Sequence, residues 1–122
     1  MRANAVYSAA LANVSQEIGD NDKWDRMAIH WLNTAMAESL NAANALRLYY
    51  FRPPFEYAPR IKSLEDILPY HDRLYAALVE LVTAQLWTDQ DESYKAQDCR
   101  NRAQAELEDC LRLRPEKVRD VY

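Results

Sequence analysis

The sequence predicts an all-α, four-helix domain over residues 1–111, with an extended aromatic and proline-rich arm at 46–62 between the second and third helices and a C-terminal tail at 112–122. Three observations carry this expectation. Apolar residues recur at helical spacing through four long segments. The 122 residues include a single glycine, Gly19, and primed hairpin turns usually need glycine. Alanine, leucine, glutamate, glutamine and arginine, all good helix formers, dominate. Apolar residues make up 49% of the chain, enough surface to bury for one folded domain and too much for a disordered one.

The first helix is expected from about Ala3 to Ile18, where Val6, Tyr7, Ala10, Leu11, Val14 and Ile18 form one stripe. Gly19 is its expected C-cap. Asp20, Asn21 and Asp22 offer N-caps for the second helix, which runs from about Lys23 into the Ala42–Leu46 region. Trp24, Ala28, Trp31 and Ala35 line one face of it, and two tryptophans at that spacing are core. From Leu46 the pattern changes. Pro53, Pro54 and Pro59 break helices and push their predecessors toward extended geometry. Tyr49, Tyr50, Phe51, Phe55 and Tyr57 crowd into the same stretch beside Arg47, Arg52 and Arg60. It reads as an arm, with room for a short strand, that leaves the helical body and returns.

Ser63-Leu64-Glu65-Asp66 reads as one capped turn, cut short by Pro69. The third helix is expected from about Pro69 to Trp87. It is apolar on all sides from Leu74 onward, so it is either the central element or covered by a neighbouring subunit. The fourth helix spans about Glu92 to Leu111 with a narrow stripe of Ala96, Cys99, Ala103, Leu107 and Cys110. Pro115 ends it. The tail from Arg112 to Tyr122 sums to +2, which leaves −6 on the body of a chain whose net charge is −4.

An acidic chain argues against tight binding of nucleic acid, whose backbone is held by basic surface. The start of the chain lacks the continuous apolar run of a signal peptide. Leu74–Trp87 is shorter than the roughly 20 residues a membrane span requires. Cys99 and Cys110 lie on one helix about 16 Å apart, beyond disulfide reach, and read as small buried apolar groups. His30 and His71 are not part of an HExxH, Glu-x-x-His or CxxC motif. His71-Asp72 resembles a base with its orienting carboxylate, but a helix start explains Asp72 as well. One glycine permits no phosphate loop. The expectation is no catalysis, no metal and no cofactor.

Two features exceed core packing. The arm is either a loop folded over its own domain or an interface, since Tyr, Phe and Arg are enriched at the centres of protein contacts. The tail is either frayed and idle or a basic segment that orders in a partner's groove.

Lys23-Trp24-Asp25 through Trp31-Leu32-Asn33-Thr34-Ala35, Leu68-Pro69-Tyr70 through Leu86-Trp87, and Ser93-Tyr94-Lys95-Ala96 through Leu107 together resemble the head-to-tail adaptor (connector) proteins of tailed bacteriophages. The resemblance implies a dodecameric ring in the virion, beneath the portal vertex of the capsid, assembled in the host cytoplasm. Its partners would be the portal protein, neighbouring adaptor copies and the next tail protein. DNA would pass through without specific binding, and no membrane would be involved. Arg112, Arg114, Lys117, Arg119 and Tyr122 would then dock on the portal, and Tyr49, Tyr50, Phe51, Arg52, Phe55 and Tyr57 would meet neighbouring subunits. The alternative is a small helical protein-binding module, regulatory or chaperone-like, working as a monomer or dimer.

Overall fold

The computed structural model describes residues 1–113. Over these the chain is all-helical, with α1 at Ala3–Asn13, α2 at Asp22–Glu38, α3 at Leu40–Tyr49, α4 at Tyr75–Asp89 and α5 at Ser93–Leu111. A 3-10 turn at Asp72–Leu74 leads into α4.

Five helices stand among the described residues where the periodicity predicts four. The second periodic stretch is divided at Ser39, which is fully buried. Its hydroxyl donates to the Ala35 carbonyl at 2.8 Å. A serine bonded back onto the preceding turn competes with the helical ladder and bends it. The ladder resumes at once, with Ala43 N donating to Ser39 O at 2.9 Å. The stretch is therefore two consecutive helices that meet at Ser39.

α1 ends at Asn13, five residues before the expected end. Ser15 takes the left-handed conformation, with φ 59°. Gln16 N donates to Leu11 O at 2.9 Å and Ser15 N to Ala12 O at 3.1 Å. This is the double bond pattern with which helices commonly end on a glycine. Two more helices end the same way, α3 on Phe51 and α4 on Asp91, both with φ 59°. Gly19, at φ 100°, belongs instead to the turn that follows.

α4 is the centre of the molecule. Ala77, Leu78, Val79, Leu81, Val82, Thr83, Ala84 and Leu86 are all buried, and the helix packs against α1, α2 and α5. Its all-round apolar character is answered inside this chain. The small residues Ala96, Cys99, Ala103 and Cys110 are buried on α5, which lies along α4. Both cysteines are free. Trp24 and Trp31 are core residues. The Trp24 indole donates to Asp89 at 2.6 Å and so ties the start of α2 to the end of α4. That bond, followed by one from Lys23, holds the Asp89 carboxyl below its usual range. The Tyr7 hydroxyl donates to Asp25 at 2.7 Å, and burial, then this bond, raises its pKa.

The 46–62 segment does not leave the body as expected. Its first residues, Leu46–Tyr49, complete α3, and Leu46 is buried. The remainder is laid back along α3 and α2 by two asparagines. Asn44 accepts from Phe55 N at 2.7 Å and donates to Phe55 O at 3.1 Å. Asn33 accepts from Ile61 N at 2.8 Å and donates to Ile61 O at 3.1 Å. Each amide satisfies both backbone groups of one residue, as a neighbouring strand would. The spacing allows it. Eleven helical residues rise about 16 Å, and the six from Phe55 to Ile61 span about 20 Å when extended. The short strand-like pairing lies elsewhere, as an isolated antiparallel bridge between Arg2 and Ile67. Ala3 N, Asn4 N and Leu68 N extend that seam, bonding to Asp66, Leu64 and Met1 carbonyls at 2.8–2.9 Å.

The third predicted helix starts late. His71 Nδ1 accepts from Arg73 N at 3.0 Å and caps the 3-10 turn, so regular helix begins at Tyr75.

Candidate functional site

Where α3 ends, the chain must reverse. Arg52 N donates to Arg47 O at 2.7 Å and Phe51 N to Leu48 O at 3.0 Å, which fixes the reversal. Arg47 then reaches forward. Its Nε donates to the Pro53 carbonyl at 2.5 Å, and its guanidinium lies over the Phe55 ring, 4.2 Å from the centroid. A planar cation on a ring face is attracted by the ring's quadrupole. Phe55 meets Tyr70 at 5.8 Å between centroids. Tyr50 stacks on His71 at 5.1 Å, and Tyr49 meets Tyr50 edge-on at 4.9 Å.

These contacts enclose a groove of about 410 Å³ lined by Ala43, Leu46, Arg47, Tyr50, Arg52, Phe55, Pro69, Tyr70 and His71. Its floor is apolar. Its rim carries two guanidinium groups and an imidazole, and none of the lining residues is acidic. The Tyr70 hydroxyl is committed to the Met36 carbonyl at 2.6 Å. Burial pushes its pKa up to about 12, so it is a neutral structural donor. His71 Nδ1 accepts from the Arg73 amide, so that nitrogen is taken up by the cap of the 3-10 turn. Asp72 lies 3.6 Å from the amino group of Met1.

A second pocket, of about 340 Å³, lies between α4 and α5, with Glu80, Trp87, Tyr94, Asp98, Cys99 and Arg102 on its walls. Arg102 bridges Asp98 at 2.6 Å and Glu80 at 3.3 Å. The Glu80 contact is an ion pair without hydrogen-bond alignment, since Glu80 Oε2 is buried and makes no hydrogen bond. Burial, then the Glu80 carboxylate, pushes the Cys99 thiol up to about 11. A nucleophilic cysteine needs the opposite shift. Among the described residues no group of three or more His, Cys, Asp or Glu side chains converges on a point that would hold a metal. No helix among them is long and apolar enough to cross a membrane.

The structure divides the six arm residues singled out from sequence. Tyr50 and Arg52 line the groove. Phe51 is 64% exposed and Tyr57 80% exposed. Tyr49 is half-buried. Phe55 also lines the groove, and it is half-buried, with Arg47, Tyr70 and Asn44 of its own chain as partners. Of the tail, Arg112 is exposed and 3.4 Å from Asp109. Arg114, Lys117, Arg119 and Tyr122 lie outside the described residues. Sequence reasoning missed Asn33 and Asn44, and it missed Pro69 and Tyr70 as the far wall of a groove. Two asparagines eleven residues apart on helical faces were the available signal.

No protein-family model, curated protein or solved structure matches this chain.

Proposed function

We propose that this chain is a non-catalytic structural subunit of a protein assembly, the head-to-tail connector ring that its sequence resembles. The observation that carries the reading is the aromatic rim of 50–57. Tyr50, Phe51 and Tyr57 are 47%, 64% and 80% exposed on a segment pinned to the helices at both ends. Aromatic side chains offer large contact area for little conformational entropy, and a clamped backbone presents them already in position. Phe51 adds weight. It holds a left-handed φ of 59° that disfavours bulky residues, yet it buries little.

In this reading the rim meets neighbouring subunits and the basic tail from Arg112 to Tyr122 docks on the portal protein. The ring supplies a platform for the next tail component. The acidic body lines a passage for DNA, where a wall that repels phosphate does not hold the moving genome.

The test mixes the purified chain with portal protein and images the product by electron microscopy. Rings capping the portal are the expected result, and Tyr50→Ser, Phe51→Ser, Tyr57→Ser together should abolish them while leaving the helical circular dichroism intact. A triple variant that assembles normally, or a native chain that forms no complex, overturns the reading.

A further inference from the structure

A groove with a basic rim and a turn rich in carboxylates lie at opposite ends of α4. α4 begins at Tyr75, four residues after His71 on the groove wall, and ends at Asp89, about 22 Å along the helix. At the far end the α1–α2 and α4–α5 turns meet, joined by Lys23 and Trp24 on Asp89 at 2.9 and 2.6 Å. Residues 17–25 and 89–92 bring Glu17, Asp20, Asp22, Asp25, Asp89, Asp91 and Glu92 together there, against Lys23.

Two apolar side chains protrude near that acidic end, Tyr94 at the start of α5, 87% exposed, and Ile18 on the α1–α2 turn. Ile18 is 48% exposed, and it stands between Glu17 and Asp20. The turn that carries it is built rather than loose. Glu17 N donates to Asp20 Oδ2 at 2.7 Å, Asp20 N to Glu17 O at 3.1 Å, and Gly19 N to Asp25 Oδ2 at 3.0 Å. Gly19 supplies the φ of 100° that lets the chain fold back beside Ile18. The result is a stiff apolar knob with a carboxylate on each side. The groove at the opposite end is its complement, with an apolar floor from Leu46, Phe55 and Tyr70 and a rim of Arg47 and Arg52. Among the described residues neither arginine lies within ion-pair distance of a carboxylate.

We propose that copies of this chain associate head to tail, with the Glu17–Asp20 turn of one copy seating Ile18 in the Arg47/Arg52 groove of the next. Knob and groove are different surfaces, so the contact is heterologous. Repeated, it closes into a ring or extends as a filament, according to the rotation between copies. Opposite charge orients the approach, and two preformed surfaces lose little freedom on meeting. The inference rests on the assembly reading above and names the surfaces by which the subunits would touch.

Sedimentation velocity of the full chain at millimolar concentration and low ionic strength tests it. The native chain should self-associate, and added salt should weaken the association. Glu17→Arg and Arg52→Glu change exposed side chains outside the core. Each should weaken association about tenfold, equivalent to about 1.4 kcal/mol, and Ile18→Ser should do likewise. An equimolar mixture of Glu17→Arg with Arg52→Glu should recover it, because the reversed turn then meets the reversed groove. A native chain that stays monomeric, or reversals without effect, or a mixture without recovery, overturns the contact. The two readings separate on portal protein: rings that form normally from Arg52→Glu sink this contact and leave the assembly role standing. Rings absent from every sample count against the assembly role, and the sedimentation result still decides the contact.

Discussion

Asn44→Ala tests whether the proline-rich segment is held as described. The native amide makes two bonds, from Phe55 N at 2.7 Å and to Phe55 O at 3.1 Å. Each such bond contributes about 1 kcal/mol net. Both are partly buried, so water can reach the two backbone groups once the amide is gone, and the full penalty for a buried orphan does not apply. The expected loss is therefore about 2 kcal/mol, or roughly a 30-fold shift in the opening equilibrium. The loss should be local, because the core around α4 does not depend on Asn44. Amide exchange at Phe55 should accelerate about 30-fold while the amides of Leu78–Leu86 keep their protection. Asn44→Asp should be at least as damaging despite equal size, because it keeps the acceptor for Phe55 N but sets a second oxygen against Phe55 O. Exchange at Phe55 within about threefold of native in both variants would refute the clamp.

Phe51→Gly relieves about 1–2 kcal/mol of left-handed strain and forfeits contact on the covered third of the ring, about 50–90 Å² or ~1–2 kcal/mol. Stability in urea should stay within about 1 kcal/mol of native, while ring formation with portal protein falls. Asp89→Asn should flatten the acid limb of the stability curve. The folded carboxyl lies below its ordinary 3.8, chiefly through the Trp24 bond. Its contribution is thus present above 3.8 and lost as the pH falls through the folded value. Thermal melts from pH 5 down to 2 check this, and parallel curves for native and variant would contradict it. Trp31→Ala should cost about 3–5 kcal/mol as a core aromatic, and an unchanged melting temperature would remove Trp31 from the core.

Much of the helical frame was legible because burial has a period. The stripes of Val6, Tyr7, Ala10, Leu11 and Val14, and of Trp24, Ala28, Trp31 and Ala35, are buried as read, whereas Ile18, read as the last of the first stripe, is exposed beyond the end of α1, and α5 ends at Leu111. What was not legible depends on single hydrogen bonds. The helix divides at Ser39, whose hydroxyl bonds to the Ala35 carbonyl, and nothing in the spacing of neighbours distinguishes it from a surface serine. The arm looked free because its prolines and aromatics say only that it is not helical. The groups that hold it, Asn33 and Asn44, sit in helices far from it in sequence.

The helix ends carry the strongest lesson. With one glycine available, the chain places Ser15, Phe51 and Asp91 at left-handed positions where glycine is the usual choice. Asp tolerates that conformation because a short polar side chain can bond to nearby backbone, and a small serine is a mild departure from the same rule. Phe51 has no such compensation. Its ring bonds to no backbone, and most of it faces solvent. Within the described residues, the contact that ring makes about offsets the strain its backbone carries, so the fold itself gains little from it over a glycine. The same reasoning singles out Ile18, an exposed β-branched residue set beside the one glycine the chain does use, on a turn fixed by three hydrogen bonds. Phe51 and Ile18 are thus apolar side chains that the core does not use, each on backbone braced by hydrogen bonds.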